Sequence, residues 1–238
     1  MTTYPITRET IIETLRKELE PLAYVRAAWL GGSDATGRTD QWSDVDLMLV
    51  VEDDAVDQTA EAMATALSGL SHIAHRYRRP EPTPHGHFQE FMTGWFLEPE
   101  RHGLQLILFD KDGLVKPTPL DRKAHEERLA KGLASLRTVF PLFQNFVKKA
   151  VYRGDLADAW GTYRSCTIRP LVELARIRYC PDRFDYGFRY FDRDLPDTIR
   201  RDIEALLLPR SVDEIGAFRD LAEEMFNRLL EDLAGGGD

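Results

Sequence analysis

Two kinds of residue that can do chemistry lie close together in this chain: a Gly31-Gly32-Ser33 turn, and Asp44 and Asp46 one residue apart at the mouth of the apolar run Leu47-Met48-Leu49-Val50-Val51. The run is rich in Leu and Val and follows turn-forming residues, which predicts a buried strand from Asp46 to Val51. Alternate side chains of a strand share a face, so Asp44 and Asp46 are expected on one side and Val45 on the other. Neighbouring carboxylates repel each other beside a core unless a cation neutralises them, and hard oxygen ligands suit Mg²⁺. The competing reading is a solvated, Asx-rich loop between two strands. That reading does not explain why the second carboxylate runs straight into a hydrophobic strand.

The elements that must position this group follow from apolar spacing. Ile11, Ile12, Leu15 and Leu19 recur at helical intervals over Thr7 to Glu20, and Pro21 ends the helix. Tyr24 to Leu30 reads as a strand, and Asp57 to Leu70 as a helix burying Ala62, Met63, Ala66, Leu67 and Leu70. Extended segments are predicted for Ser71 to Arg78, Phe88 to Leu97 and Leu104 to Phe109, with Pro80, Pro82, Pro84 and Gly86 between the first two. This order predicts an α/β fold of the α+β type built on a mixed sheet. From Leu120 onward the pattern turns helical: Glu126 to Arg153, Asp155 to Tyr179, Pro196 to Leu208 and Val212 to Leu233. Pro141 is expected to kink or split the first of these, and Asp192 to Pro196 to cap the start of the third. A boundary near Lys116 to Leu120 then separates a domain at 1–118 from a C-terminal helical bundle at 119–238.

Gly32-Ser33, a short spacer, Asp44-x-Asp46 and an apolar strand together resemble the signature of the nucleotidyltransferase superfamily with a polymerase-beta type core. The likeness is to its small-molecule branch, which includes the aminoglycoside nucleotidyltransferases. The motif covers about a tenth of the chain. The resemblance implies that Gly32 and Ser33 contact nucleotide phosphates and that Asp44 and Asp46 hold Mg²⁺. It further implies transfer of AMP from ATP, or of another nucleotide from its triphosphate, to a hydroxyl of a small-molecule acceptor. Arg153-Gly154-Asp155-Leu156-x-x-Ala159 more loosely resembles the helical half of antibiotic-modifying members. Basic residues of that half reach the triphosphate in related enzymes, which makes Lys148 and Lys149, with Arg153, candidates; they could equally stabilise the C-terminus of their helix. The family usually adds a third carboxylate on a neighbouring strand, and here the polar residue of that strand is Gln105, an amide that cannot act as a base. Glu90 is the first substitute, with Glu98 and Glu100 behind it. The other readings are a shifted strand in which Asp110 is the acid, or a catalytically weak or inactive protein that binds nucleotide and regulates.

Composition narrows the remaining classes. A formal net charge of −9 disfavours broad nucleic-acid binding, which needs a positive field, and would suit a cationic substrate. No apolar run approaches the ~20 residues of a membrane span, and Met1-Thr2-Thr3-Tyr4-Pro5 lacks the features of a secretion signal, so a cytoplasmic protein is expected. Cys166 and Cys180 are expected as reduced structural thiols. His85-Gly86-His87 lacks a third spaced ligand for zinc, and Trp42 is expected to pack on the sheet, with a part in shaping the nucleotide pocket as the other reading. Arg76-Tyr77-Arg78-Arg79 is a candidate basic patch, and the aromatic stretch Tyr186 to Phe191 reads as a packed connection between helices. A protein hydroxyl is a further acceptor class consistent with the acidic balance.

Overall fold

The computed structural model describes residues 6–35, 37–40, 43–76, 106–115 and 121–235. Contacts divide the chain into two compact units, Met1–Asp121 and Arg122–Asp238. The first carries a small antiparallel sheet with helices, and the second is mostly helical, so the α/β class expected from the sequence is observed. Among the described residues no helix is long and apolar enough to cross a membrane.

The first unit opens with α1 (Arg8–Leu19), where the Thr7 side chain accepts a hydrogen bond from the Thr10 N–H and so caps an otherwise unpaired donor. There follow β1 (Val25–Leu30), the short α2 (Gly32–Ala35), β2 (Leu47–Val51), α3 (Val56–Leu70) and β3 (Ile107–Asp110). The sheet order is β2-β1-β3, and both pairings are antiparallel. Leu30 pairs with Leu47, Trp29 with Met48 and Ala28 with Leu49. Ala28, Leu47, Leu49 and Val51 pack with Leu15 and Leu19 of α1 and with Ala62, Met63, Ala66 and Leu67 of α3. One face of the sheet is therefore covered by the two helices, and the period-2 alternation sends Met48 and the residues in step with it to the other face.

The described part of Ser71 to Arg78 is not a strand: residues 71–76 leave α3 as an irregular segment. Ile73 is its single large apolar side chain, so it has no apolar face to bury. Arg76 pairs with the exposed Glu61 at 2.6 Å, and Tyr77 to Arg79 lie outside the described residues. The extended segment expected over Phe88 to Leu97 also lies outside them.

The second unit consists of α4 (Arg122–Arg153), α5 (Leu156–Tyr163), a π-helical turn (Arg164–Ile168), α6 (Arg169–Tyr179), a 3-10 stretch (Pro181–Tyr186), α7 (Phe191–Asp194), α8 (Asp197–Glu204) and α9 (Val212–Gly235). Its core joins Leu136, Phe140 and Val147 of α4 to Leu171 and Leu174 of α6 and to Ile215, Ala222 and Phe226 of α9. Pro141 does not split α4, which runs unbroken for 32 residues. Its ring lies on the exposed side, and the flanking turns are held by burial. Phe140 stacks on Phe226 with ring centroids 3.6 Å apart.

The π-helical turn has a local cause. In an α-helix the carbonyl of Cys166 would accept from residue 170, but that residue is Pro170 and has no N–H. The ladder widens by one residue, so that the Arg169 N–H reaches the Arg164 carbonyl. Gln144 Nε2 supplies the missing donor to the Cys166 carbonyl at 3.1 Å. Gln144 Oε1 in turn accepts from the Thr167 hydroxyl at 2.9 Å. Gln144 is 1% exposed, so its loss leaves buried groups unpaired. Gln144→Met is expected to cost about 1–3 kcal/mol in urea denaturation. Adding Thr167→Val should recover part of that loss, because one of the two unpaired partners is then gone; no recovery would refute the network.

Asp194 does not cap the following helix. Its carboxylate accepts from Arg176 Nη1 at 2.8 Å and from Arg183 Nη2 at 2.8 Å. Pro196 stands at the N-cap position of α8 rather than in its first turn. The same Arg176 donates to the carbonyls of Gly187, at 2.6 Å, and Arg189. The connection from Pro181 to Asp194 is thus organised around a buried cation. Cys166 and Cys180 are both free thiols; burial pushes the Cys180 thiol up from its ordinary pKa, against the opposing pull of Arg176.

Candidate active site

The Gly-Gly-Ser turn and the acid pair are brought together by the β1–β2 pairing. β1 ends at Leu30 and β2 begins at Leu47, its register partner, so the residues just beyond them meet. The Gly31 N–H donates to the Asp46 carbonyl at 2.8 Å and extends the ladder by one bond. Gly31 is buried, and a methyl group on it would lie 3.1 Å from Met48 Cε and 3.7 Å from Asp46 Cβ. Asp46 and Met48 therefore share the face turned away from α1 and α3.

Gly32 is held closer still. Its φ is +56°, and a methyl group there would fall 1.7 Å from Asp46 Oδ2 and 2.7 Å from Asp46 Cγ. Only glycine fits, both for the left-handed backbone and for the carboxylate pressed against it. Ser33 follows, buried in the first turn of α2. The Arg38 N–H donates to the Ser33 carbonyl at 2.9 Å and folds the chain back after the helix. Residues 43–46 approach β2 in irregular conformation, with Asp44 exposed and Asp46 half-buried. Ser43 is tied back to Asp40: its hydroxyl accepts from the Asp40 N–H at 2.9 Å and donates to Asp40 Oδ1 at 3.1 Å.

Arg8 and Asp34 belong to this site and carry no signal in the sequence. Arg8 Nε donates to the Ser43 carbonyl at 3.0 Å, and Nη2 donates to the Asp44 carbonyl at 3.0 Å. The same guanidinium forks onto Asp34, with Nη1 to Oδ1 at 3.3 Å and Nη2 to Oδ2 at 2.5 Å. The pair is little exposed, at 15% and 12% of the side chains. Arg8 reads as an ordinary polar residue at a helix start, since its partners lie 26 to 36 positions further along.

Asp110 stands elsewhere. It pairs with Ala27, whereas Ile107 pairs with Trp29, so Asp110 is at the end of the sheet away from the acid pair. Its carboxylate accepts the N–H groups of Leu114 and Val115, each at 2.9 Å, and closes a turn. Burial pushes its pKa up, but the backbone donors of Val115, Leu114, Asp112 and Gly113 outweigh this and hold it below the ordinary carboxylate value. Glu90, Glu98, Glu100, Gln105, Trp42, His85 and His87 lie outside the described residues. Lys148 and Lys149 are exposed on α4 in the second unit.

Among the described residues no group of three or more His, Cys, Asp or Glu side chains gathers to hold a metal. The donor set of Asp44 and Asp46 nevertheless suits Mg²⁺, which is commonly held by one or two carboxylates together with waters and substrate phosphates. The glycine at 32 agrees with that use, because a Cβ there would take the place of Asp46 Oδ2.

Residues 12–83, which include most of α1, the glycine turn, the acid pair and α3, match the family model of the nucleotidyltransferase domain. The match supports nucleotidyl transfer as the general activity and a nucleotide as substrate. No curated protein matches the chain.

Proposed function

We propose that the chain is an Mg²⁺-dependent nucleotidyltransferase that moves AMP from ATP to a hydroxyl of a small molecule. The motif resembles that of the aminoglycoside-modifying members of the superfamily. The observation that carries this reading is the contact of Asp46 with Gly32, which sets one acid of the Asp44-x-Asp46 motif against the glycine-serine turn at one end of the sheet. ATP and the small acceptor are taken from the resemblance of the motif.

In this reading Asp44 and Asp46 hold the metal, and Gly32 and Ser33 face the phosphates. The acceptor oxygen forms a bond to the α-phosphorus, the bond from that phosphorus to the bridging oxygen breaks, and pyrophosphate leaves. The hydroxyl proton passes to a base, for which Glu90 is the candidate. When bound, Mg²⁺ offsets the negative charge that builds on the phosphate oxygens. The rigid turn keeps the triphosphate and the carboxylates in one geometry, which is where positioning lowers a barrier.

Asp46→Asn tests the reading. The substitution keeps the shape and removes one of two neighbouring carboxylates, so it should reduce metal–nucleotide binding far more than it reduces folding stability. Mg²⁺–ATP binding, measured by calorimetry, should fall at least tenfold. Radiolabelled ATP incubated with a panel of amino sugars and other polyols should yield adenylylated product with the wild type and far less with the variant. Equal binding and equal product formation by the two proteins would remove the basis of the reading. An amide, Gln105, where the resemblance implies a third carboxylate favours one alternative, a nucleotide-binding protein without turnover. Tight Mg²⁺–ATP binding with no product across the panel and across lysate proteins would support it.

A further inference from the structure

We propose that Arg8, acting with Asp34, is a positioning residue that sets the direction of the Asp44 carboxylate and its spacing from Ser33. The proposal rests on the nucleotidyl-transfer reading above. Arg8 lies outside the segment that matches the nucleotidyltransferase domain, so the match assigns it no role.

The Ser43 carbonyl belongs to the peptide plane before the Asp44 Cα, and the Asp44 carbonyl to the plane after it. Arg8 donates to both, at 3.0 Å each from Nε and Nη2. Fixing both planes fixes the φ and ψ of Asp44, and with them the direction in which its side chain leaves the backbone. Asp44 is exposed, so packing cannot set that direction. The remaining capacity of the guanidinium is spent on Asp34, the residue directly after Ser33. One planar group therefore spans the phosphate turn and the acid loop, and the rigid fork of Arg suits this where the point charge of Lys does not. Arg8 is itself anchored, since it opens α1, whose Leu15 and Leu19 are buried against the sheet.

A purely structural role would lower stability without changing how binding depends on metal. A positioning role would lower the advantage that Mg²⁺ gives to nucleotide binding, because Asp44 would no longer be aimed. The test is calorimetric titration of the full chain with ATP, with and without Mg²⁺, at a temperature well below each protein's unfolding midpoint. For Arg8→Ala, the ratio of the two Kd values should fall at least tenfold from that of the wild type. Arg8→Lys, which keeps the charge and part of the reach, should fall between them. Should Arg8→Ala fail to fold, Asp34→Asn, which keeps the shape and removes the ion pair, is expected to lower the same ratio. A folded Arg8→Ala, or in its place Asp34→Asn, with the wild-type ratio overturns the proposal and leaves the nucleotidyl-transfer reading standing. A folded wild type with no Mg²⁺-dependent ATP binding overturns both.

Discussion

Gly32→Ala is expected to reduce nucleotidyl transfer by about 100-fold or more, because ångström-scale misplacement of a reacting group has that order of effect. The added methyl would meet Asp46 Oδ2 at 1.7 Å, Cγ at 2.7 Å and Cβ at 3.2 Å. The contact with Cβ means that rotating the carboxylate away does not solve the clash, so the turn and the acid must separate. The left-handed φ adds about 1–2 kcal/mol of backbone strain for any residue with a Cβ. Gly37 provides the control: it also has positive φ, at +64°, but a methyl there meets nothing within 4 Å. Gly37→Ala should therefore show the strain in a denaturation curve while keeping Mg²⁺–ATP binding. Gly32→Ala should lose that binding at temperatures where the protein is still folded. If the two alanine variants bind Mg²⁺–ATP alike, the contact of Asp46 with the turn has no part in the site.

Asp194→Ala should be the most damaging single change in the second unit, costing about 3–5 kcal/mol, the cost of breaking a buried ion pair by removing one partner. Arg176 and Asp194 are fully buried, at 0% of either side chain exposed. Without the carboxylate, Arg176 keeps its bonds to the Gly187 and Arg189 carbonyls but loses its counter-charge, and Arg183 is left beside it as a second cation. Like charges in a poorly solvated site repel strongly. Urea denaturation followed by far-ultraviolet circular dichroism measures the loss. Arg176→Met leaves Asp194 paired with the half-exposed Arg183 and fills the space with an apolar chain, so it should cost less than Asp194→Ala. The reverse order would mean that the carbonyl bonds of Arg176, rather than the charge balance, hold this connection.

What could be read from the sequence was local. Ile11, Leu15 and Leu19 announce α1 by spacing, and the switch to alternating and continuous apolar runs announces β1 and β2, because in each case the pattern and its burial partners act over a few residues. Pro141 does not split its helix because propensity is a local cost of about 3 kcal/mol, and the stacking of Phe140 on Phe226 and the burial of Val147 outweigh it from a distance in sequence. Asp194 misled for a similar reason: beside Leu195-Pro196 it looks like a cap, yet Arg176, 18 positions earlier, takes its carboxylate. Arg8 is the clearest case in the candidate site, since nothing in its neighbours foretells partners at 34, 43 and 44. Charged side chains whose role is set by long-range geometry have no periodicity to betray them.

The loop from Asp34 to Asp44 is fastened at both ends, by the Gly31–Asp46 bond and by the two arms of Arg8. Its chain length is thereby uncoupled from the geometry at its ends. Lengthening a loop whose termini are already held costs only a logarithmic entropy, about 0.6 kcal/mol per doubling. Gly37 and Thr39, both exposed, are thus places where the loop could carry an inserted residue, tag or recognition segment while the glycine turn and the two acids stay in register.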